Sequence, residues 1–219
     1  MNLLKKKLTI LIGHYGSGKT TLAVNLAYQA RGSVALADID VNNPYFRSRD
    51  WINKFEEYGI ELIIPDPEIA YAEMPFLPAQ IYGSLQKEKK LILDVGGNAC
   101  GTTVLSSLAQ TIQTLDYELV FVVNTFRPGS ETIEEIIEMF YSLQAISRLK
   151  ITGIINNSNL QGFTELEDIL ASEKIVSSAA EKLAVLFLGN CIVENLAADV
   201  SRKIHSPIYP IVRLEQLKW

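Results

Sequence analysis

The run Gly13-His14-Tyr15-Gly16-Ser17-Gly18-Lys19-Thr20 fits GxxxxGK[ST] at every position. A short apolar run, Leu8–Ile12, ends just before it, and a helix-like stretch, Lys19–Ala30, begins inside it. Glycines let successive backbone N–H groups turn inward around an anion, and the start of a helix adds its positive end. The arrangement is that of a phosphate-binding loop. Lys19 is placed to reach the outer phosphates of a nucleotide, and the Thr20 hydroxyl is placed to bind Mg2+. A strand–loop–helix start of this kind restricts the rest of the chain to an α/β fold.

The remaining sequence agrees. Apolar runs of four or five residues recur at Val34–Ala37, Ile60–Ile64, Leu91–Val95, Leu119–Val123, Ile151–Ile155 and Val185–Leu188. They are rich in Val, Ile and Leu with little polar alternation, as strands covered on both faces of a parallel sheet are. Helix-like stretches fall between them at Trp51–Tyr58, Thr103–Thr114, Ser130–Ser147 and Thr164–Ala171. Alternation of this kind predicts a doubly wound, mostly parallel sheet flanked by helices. With 219 residues the chain reads as a single domain, 1–219. Either Ser130 or Thr132 is suited to cap the helix that carries Glu135.

Two further strand ends carry carboxylates. Val34–Ala37 runs into Asp38-Ile39-Asp40, and residues two apart in extended chain point to the same side. At the carboxyl edge of a parallel sheet both would look toward the phosphate loop. There they suit contacts to Mg2+ and its waters and the orientation of an attacking water. Leu91-Ile92-Leu93-Asp94-Val95-Gly96-Gly97 repeats the pattern, with Asp94 placed to hold Mg2+ and Gly96 or Gly97 placed to offer an N–H to the last phosphate.

Together these three elements resemble the MinD/ParA-type branch of P-loop ATPases, the CobQ/CobB/MinD/ParA nucleotide-binding domain. The likeness covers nearly the whole chain. It implies a P-loop NTPase fold, ATP and Mg2+ as ligands, and hydrolysis. It makes Gly13, His14, Tyr15, Gly16, Ser17, Gly18, Lys19, Thr20, Thr21 and Gly97 nucleotide contacts, and Thr20, Asp38 and Asp94 the metal set. Asp38-x-Asp40 matches the family's first switch, whose second aspartate orients the hydrolytic water, so Lys19, Asp40 and Asp38 are the catalytic candidates. Asp94-Val95-Gly96-Gly97 matches its second switch. An asparagine after a late strand contacts adenine in the family, which makes Asn156 or Asn157 the base-contacting candidate; a strand-end asparagine capping a turn is the alternative. The family's signature lysine, which crosses an ATP-bridged homodimer, falls at His14. Histidine is shorter and only partly charged near neutral pH, so a weaker, pH-sensitive dimer is expected.

Composition narrows the function. Lys and Arg total 20 against 25 Asp and Glu, a net charge of −5, which disfavours binding to bulk nucleic acid. Cys100 and Cys191 stand far apart without ligand spacing, and no run approaches a membrane span, so a cytoplasmic protein with free thiols is expected. Cys100 is either a buried small hydrophobe or half of a metal site shared across a dimer. The amphipathic tail Ile211–Trp219 is short and weakly basic, which suits packing or a subunit contact better than a membrane. Pro65–Pro78 reads either as a lid or docking surface or as packing over a sheet edge. The function expected is a nucleotide-dependent ATPase switch, slow and partner-stimulated, acting on an unidentified client protein. The alternative is an ATP-dependent small-molecule kinase or ligase, with Tyr45–Arg49 and the proline-rich segment holding a second substrate.

Overall fold

The computed structural model describes residues 3–39, 49–64, 79–86, 89–97 and 99–213, without the side chains of 49–52, 79, 80, 82, 86, 99 and 100. Asp40, the Tyr45–Ser48 stretch, Pro65–Pro78, the Cys100 side chain and the tail from 214 onward therefore lie outside the described residues. The strands are β1 (Leu8–Ile12), β2 (Val34–Asp38), β3 (Glu61–Ile63), β4 (Lys90–Asp94), β5 (Tyr117–Val123), β6 (Gly153–Asn156), β7 (Leu186–Val193) and β8 (Ile208–Ile211). The helices are α1 (Lys19–Gln29), α2 (Arg49–Glu57), α3 (Ala79–Gln86), α4 (Ala99–Ser107), α5 (Ala109–Ile112), α6 (Ile133–Ser147), α7 (Leu166–Lys182) and α8 (Glu194–Val200).

The strands form one sheet in the order β3-β2-β4-β1-β5-β6-β7-β8. Every pairing in it is parallel, so the carboxyl ends of all eight strands share one edge. All five residues of β1 and of β2 are buried, as continuous apolar strands in a doubly covered sheet must be. Alternation along the strands divides the core into two layers. Leu8, Ile10 and Ile12 pack with Leu93, Phe121 and residues of α4, α6 and α7 on one face. Leu11, Leu36, Ile92 and Val120 pack with Leu22 and Leu26 of α1 and Phe55 of α2 on the other.

Several helices and strands depart from the sequence reading. Thr103–Thr114 is two helices, α4 and α5, broken at Leu108. The segment from Thr164 continues much further as α7, and α3 and α8 were not anticipated. Neither was β8, because Pro207 and Pro210 disguise it. An edge strand tolerates proline, since its outer N–H has no ladder partner to lose, and β8 is the last strand in the sheet order. Thr132, rather than Ser130, caps α6: its hydroxyl accepts from Glu135 N at 3.3 Å, and the Glu135 carboxylate accepts from Thr132 N at 3.0 Å. Ser130 instead donates to Asn124 O at 2.8 Å. Among the described residues no helix is long and apolar enough to cross a membrane.

Phe121 is fully buried at the centre of β5, with its ring 6.4 Å from that of Phe140 on α6. Phe121→Ala leaves a cavity between sheet and helix. A loss of about 3–5 kcal/mol in unfolding free energy is expected, read as a lowered midpoint in denaturant. An unchanged midpoint contradicts this placement.

Candidate functional site

The turn Gly13–Gly18 leaves β1 at the carboxyl edge of the sheet and passes directly into α1. Gly18 takes the residue position before α1 with φ +82°, a left-handed conformation that a side chain would strain. A Cβ there would also collide with the Asn157 amide. The loop is therefore closed from the side by the residue that follows β6. Asn157 Nδ2 donates to Ser17 O at 2.7 Å, and Arg127, after β5, donates through Nε to Gly16 O at 3.1 Å. Lys19 is buried and turns back along the loop, donating to Gly13 O at 3.1 Å and His14 O at 2.9 Å.

The two carboxylate-bearing strand ends converge on this loop. Asp38 of β2 and Asp94 of β4 are register partners, and Asp94 neighbours Leu11 of β1. Leu36 and Leu11 belong to the α1-side layer, so alternation puts both carboxylates on the face that α1 covers. Both are buried. The Thr20 hydroxyl, in the first turn of α1, donates to Asp94 Oδ2 at 2.6 Å. Gly97, just past β4, lies against the loop: a Cβ there would stand 2.7 Å from Tyr15 Cα and 2.9 Å from Lys19 Nζ. Only glycine allows that approach. Lys19, Thr20, Asp38, Asp94 and Gly97 are thus brought together, while Asp40 lies outside the described residues. The oxygen-only set of Thr20, Asp38 and Asp94 fits a hard cation such as Mg2+.

His14 and Tyr15 occupy the outer rim. His14 is half-buried, with Nδ1 2.9 Å from Tyr15 O, and Tyr15 is exposed. His14 also lines a groove between the loop and α6, with Gly97, Glu138, Met139 and Leu143.

The two asparagines after β6 have different surroundings. Asn156 Nδ2 donates to Ser172 Oγ at 3.1 Å and Asn190 Oδ1 at 2.8 Å, and its Oδ1 accepts from Ser158 N at 3.1 Å and Oγ at 2.6 Å. That exhausts the amide's capacity and ties β6 to α7 and β7. Asn157 keeps capacity: its Oδ1 is buried and has no hydrogen-bond partner among the described residues. Asn157, Thr20 and Thr21 line a cavity of about 300 Å3 that opens beside the loop and also reaches Arg127, Asn159 and Gln161.

Arg127 was missed by the sequence reading. Its signal was a basic residue four positions past a buried strand. Asn25 was missed too. It is a buried polar residue inside an apolar helix, and its amide pairs with both backbone groups of Val212 at 2.8 Å. Cys191 is buried in the α1-side layer, and burial pushes its thiol pKa far up, which marks it as a packing residue.

Comparison with known proteins follows the same lines. No curated protein matches the sequence. Among solved structures the chain is similar to the cell division protein FtsY of Thermotoga maritima, at 17% identity and TM-score 0.54, over 85% of this chain and 62% of that one. It is similar to chloroplast FtsY of Physcomitrella patens at 16% identity and TM-score 0.56, over 83% and 56%. FlhF complexed with GTP and Mg2+ matches at 16% identity and TM-score 0.51, over 87% and 66%. The chain thus spans between 56% and 66% of these structures' own lengths, and at such identities the likeness is one of fold. The family model described as the CobQ/CobB/MinD/ParA nucleotide binding domain matches residues 8–194, from the first residue of β1 to the first of α8. The chain is a P-loop nucleotide-binding domain and belongs to that family.

Proposed function

We propose that the protein is a Mg2+-ATP-dependent switch, a slow ATP hydrolase whose β2 and β4 ends respond to the last phosphate and whose action is on a partner protein. The observation that carries the reading is the 2.6 Å hydrogen bond from Thr20 to Asp94, which joins the phosphate loop to the neighbouring strand end. In this reading Thr20 and Asp94 hold Mg2+, Asp38 supports its waters, and Lys19 leaves the loop carbonyls for the β- and γ-phosphates. When bound, Mg2+ neutralises charge on the phosphate oxygens. Gly97, packed against Tyr15 and Lys19, is the element that senses whether a γ-phosphate is present. FlhF, on the same fold, was solved with GTP and Mg2+, which supports a magnesium–nucleotide site here.

ATP rather than GTP is supported by the cavity beside the loop. The described residues that line it include Asn157, Asn159 and Gln161 but no carboxylate. Guanine presents adjacent N1–H and N2–H2 donors, which a carboxylate accepts best. Adenine presents one amine, and the side-chain amides of Asn159 and Gln161 at the cavity suit it. Asp40, two residues past Asp38, is the proposed water-orienting group. An ATP-dependent homodimer is part of the reading, with His14 on the outer rim of the loop as the group that meets the partner copy.

Two outcomes test the assignment. Lys19→Ala is expected to abolish binding of a fluorescent ATP analogue, because no backbone group replaces its charge-assisted contact; retained affinity would remove the phosphate loop from the account. Asp40→Asn is expected to slow phosphate release by about 100-fold while leaving ATP affinity within a factor of about two, because water orientation acts in the transition state. Normal turnover in that variant assigns the water elsewhere, with Asp38 next.

A further inference from the structure

The cavity beside Thr20 and Thr21 has a wall that the phosphate-loop motif does not supply. That wall is the end of β8 and the two residues after it, where Ile211 and Arg213 line the cavity together with Val193 from the end of β7. The backbone next to Arg213 is fixed by α1 itself. Asn25 donates to Val212 O and accepts from Val212 N, both at 2.8 Å, and also donates to Thr21 O at 2.8 Å. The helix that begins with the phosphate loop thus holds the segment that carries the arginine.

The guanidinium has a defined place. It lies over Gly162, with Nη2 3.2 Å from where a Cβ on that residue would stand. Among the described residues Arg213 makes no hydrogen bond or ion pair, and no carboxylate lines the cavity, although the whole chain is acidic with a net charge of −5. A half-buried cation that no described carboxylate pairs with, set in a cavity, suits an electron-rich or anionic ligand. Its neighbours decide which part of the ligand. Thr20 and Thr21 lie at the phosphate end. Arg213 lies by Gly162, next to Gln161, and the same lining holds the aliphatic Val193 and Ile211, the Asn159 amide and a second cation, Arg127, which is engaged with Gly16 O. Apolar walls with amides at the edge are the chemistry that receives a planar heterocycle. A guanidinium is flat and weakly hydrated, and it stacks on such a ring.

We propose that Arg213 is a nucleobase-binding residue whose guanidinium plane stacks on the base of the nucleotide held by the Gly13–Thr20 loop, and that Asn25 is the positioning residue that sets it there. The inference rests on the phosphate-loop reading given above. It makes the last strand of the fold a wall of the nucleotide site and gives β8 a role that no part of the motif announces.

Calorimetric titration of Mg2+-ATP and of Mg2+-tripolyphosphate into the full chain tests it, with wild type, Arg213→Ala, Arg213→Lys and Lys19→Ala compared. Arg213→Ala is expected to weaken ATP binding about tenfold, the usual scale of a lost stacking contact, and to leave tripolyphosphate binding unchanged. Arg213→Lys, which keeps the charge and loses the plane, is expected not to restore ATP affinity. Unchanged ATP affinity in Arg213→Ala overturns the proposal. So does an equal loss for both ligands, which would make the arginine a phosphate contact, and so does full rescue by lysine. Lys19→Ala separates the two levels: it must abolish tripolyphosphate binding, and if it does not, the phosphate-loop reading fails and the Arg213 assignment fails with it. Equal melting temperatures for wild type and both Arg213 variants establish that the comparison concerns the site rather than folding.

Discussion

The structure depends on holding one strained turn open. Between β1 and α1 the chain turns through Gly13, Gly16 and Gly18 at positive φ, which no regular element does, and it must do so without a core of its own. Neighbouring strand ends supply the support. Gly97 presses on it from β4, Arg127 bonds Gly16 from β5, and Asn157 bonds Ser17 from β6. These contacts are possible because every strand points the same way and all the carboxyl ends meet at one edge. A parallel sheet is therefore the condition under which the loop can be braced.

Chemistry at that edge follows from the alternation of side chains. Asp38 and Asp94 are paired in register on neighbouring strands, and the pleat turns both toward α1. The same helix presents Thr20 to Asp94, and one turn further on its Asn25 secures the backbone after β8. One helix therefore links the end of β4 to the segment that follows β8. The buried amide network of Asn156, Ser158, Ser172 and Asn190 has a supporting part: it fixes the exit of β6, and so the position of Asn157.

Much of this was legible in the sequence because it is local. The loop motif is eight consecutive residues, and the central strands are continuous apolar runs whose bounds β1 matches to the residue. The carboxylate-bearing strand ends were legible for the same reason. What escaped was either disguised or non-local. Prolines concealed β8. Leu108 interrupts what reads as a single helix, since no glycine or proline marks the break. Asn156 and Asn157 are indistinguishable in sequence, and only their partners, Ser172 and Asn190 for one and Ser17 for the other, separate them. The Asn25–Val212 pairing spans 187 positions, and no pattern along the chain foretells it.

The central claim is that the phosphate loop and the end of β4 form a single magnesium–nucleotide site. Measuring ATP affinity with and without Mg2+, in wild type and in Asp94→Asn, tests it most directly. The account predicts that Mg2+ tightens binding to wild type by about tenfold or more, since a cation held by Thr20 and Asp94 would neutralise phosphate charge, and that this gain is lost in the variant. The same Mg2+ gain in both proteins would contradict it.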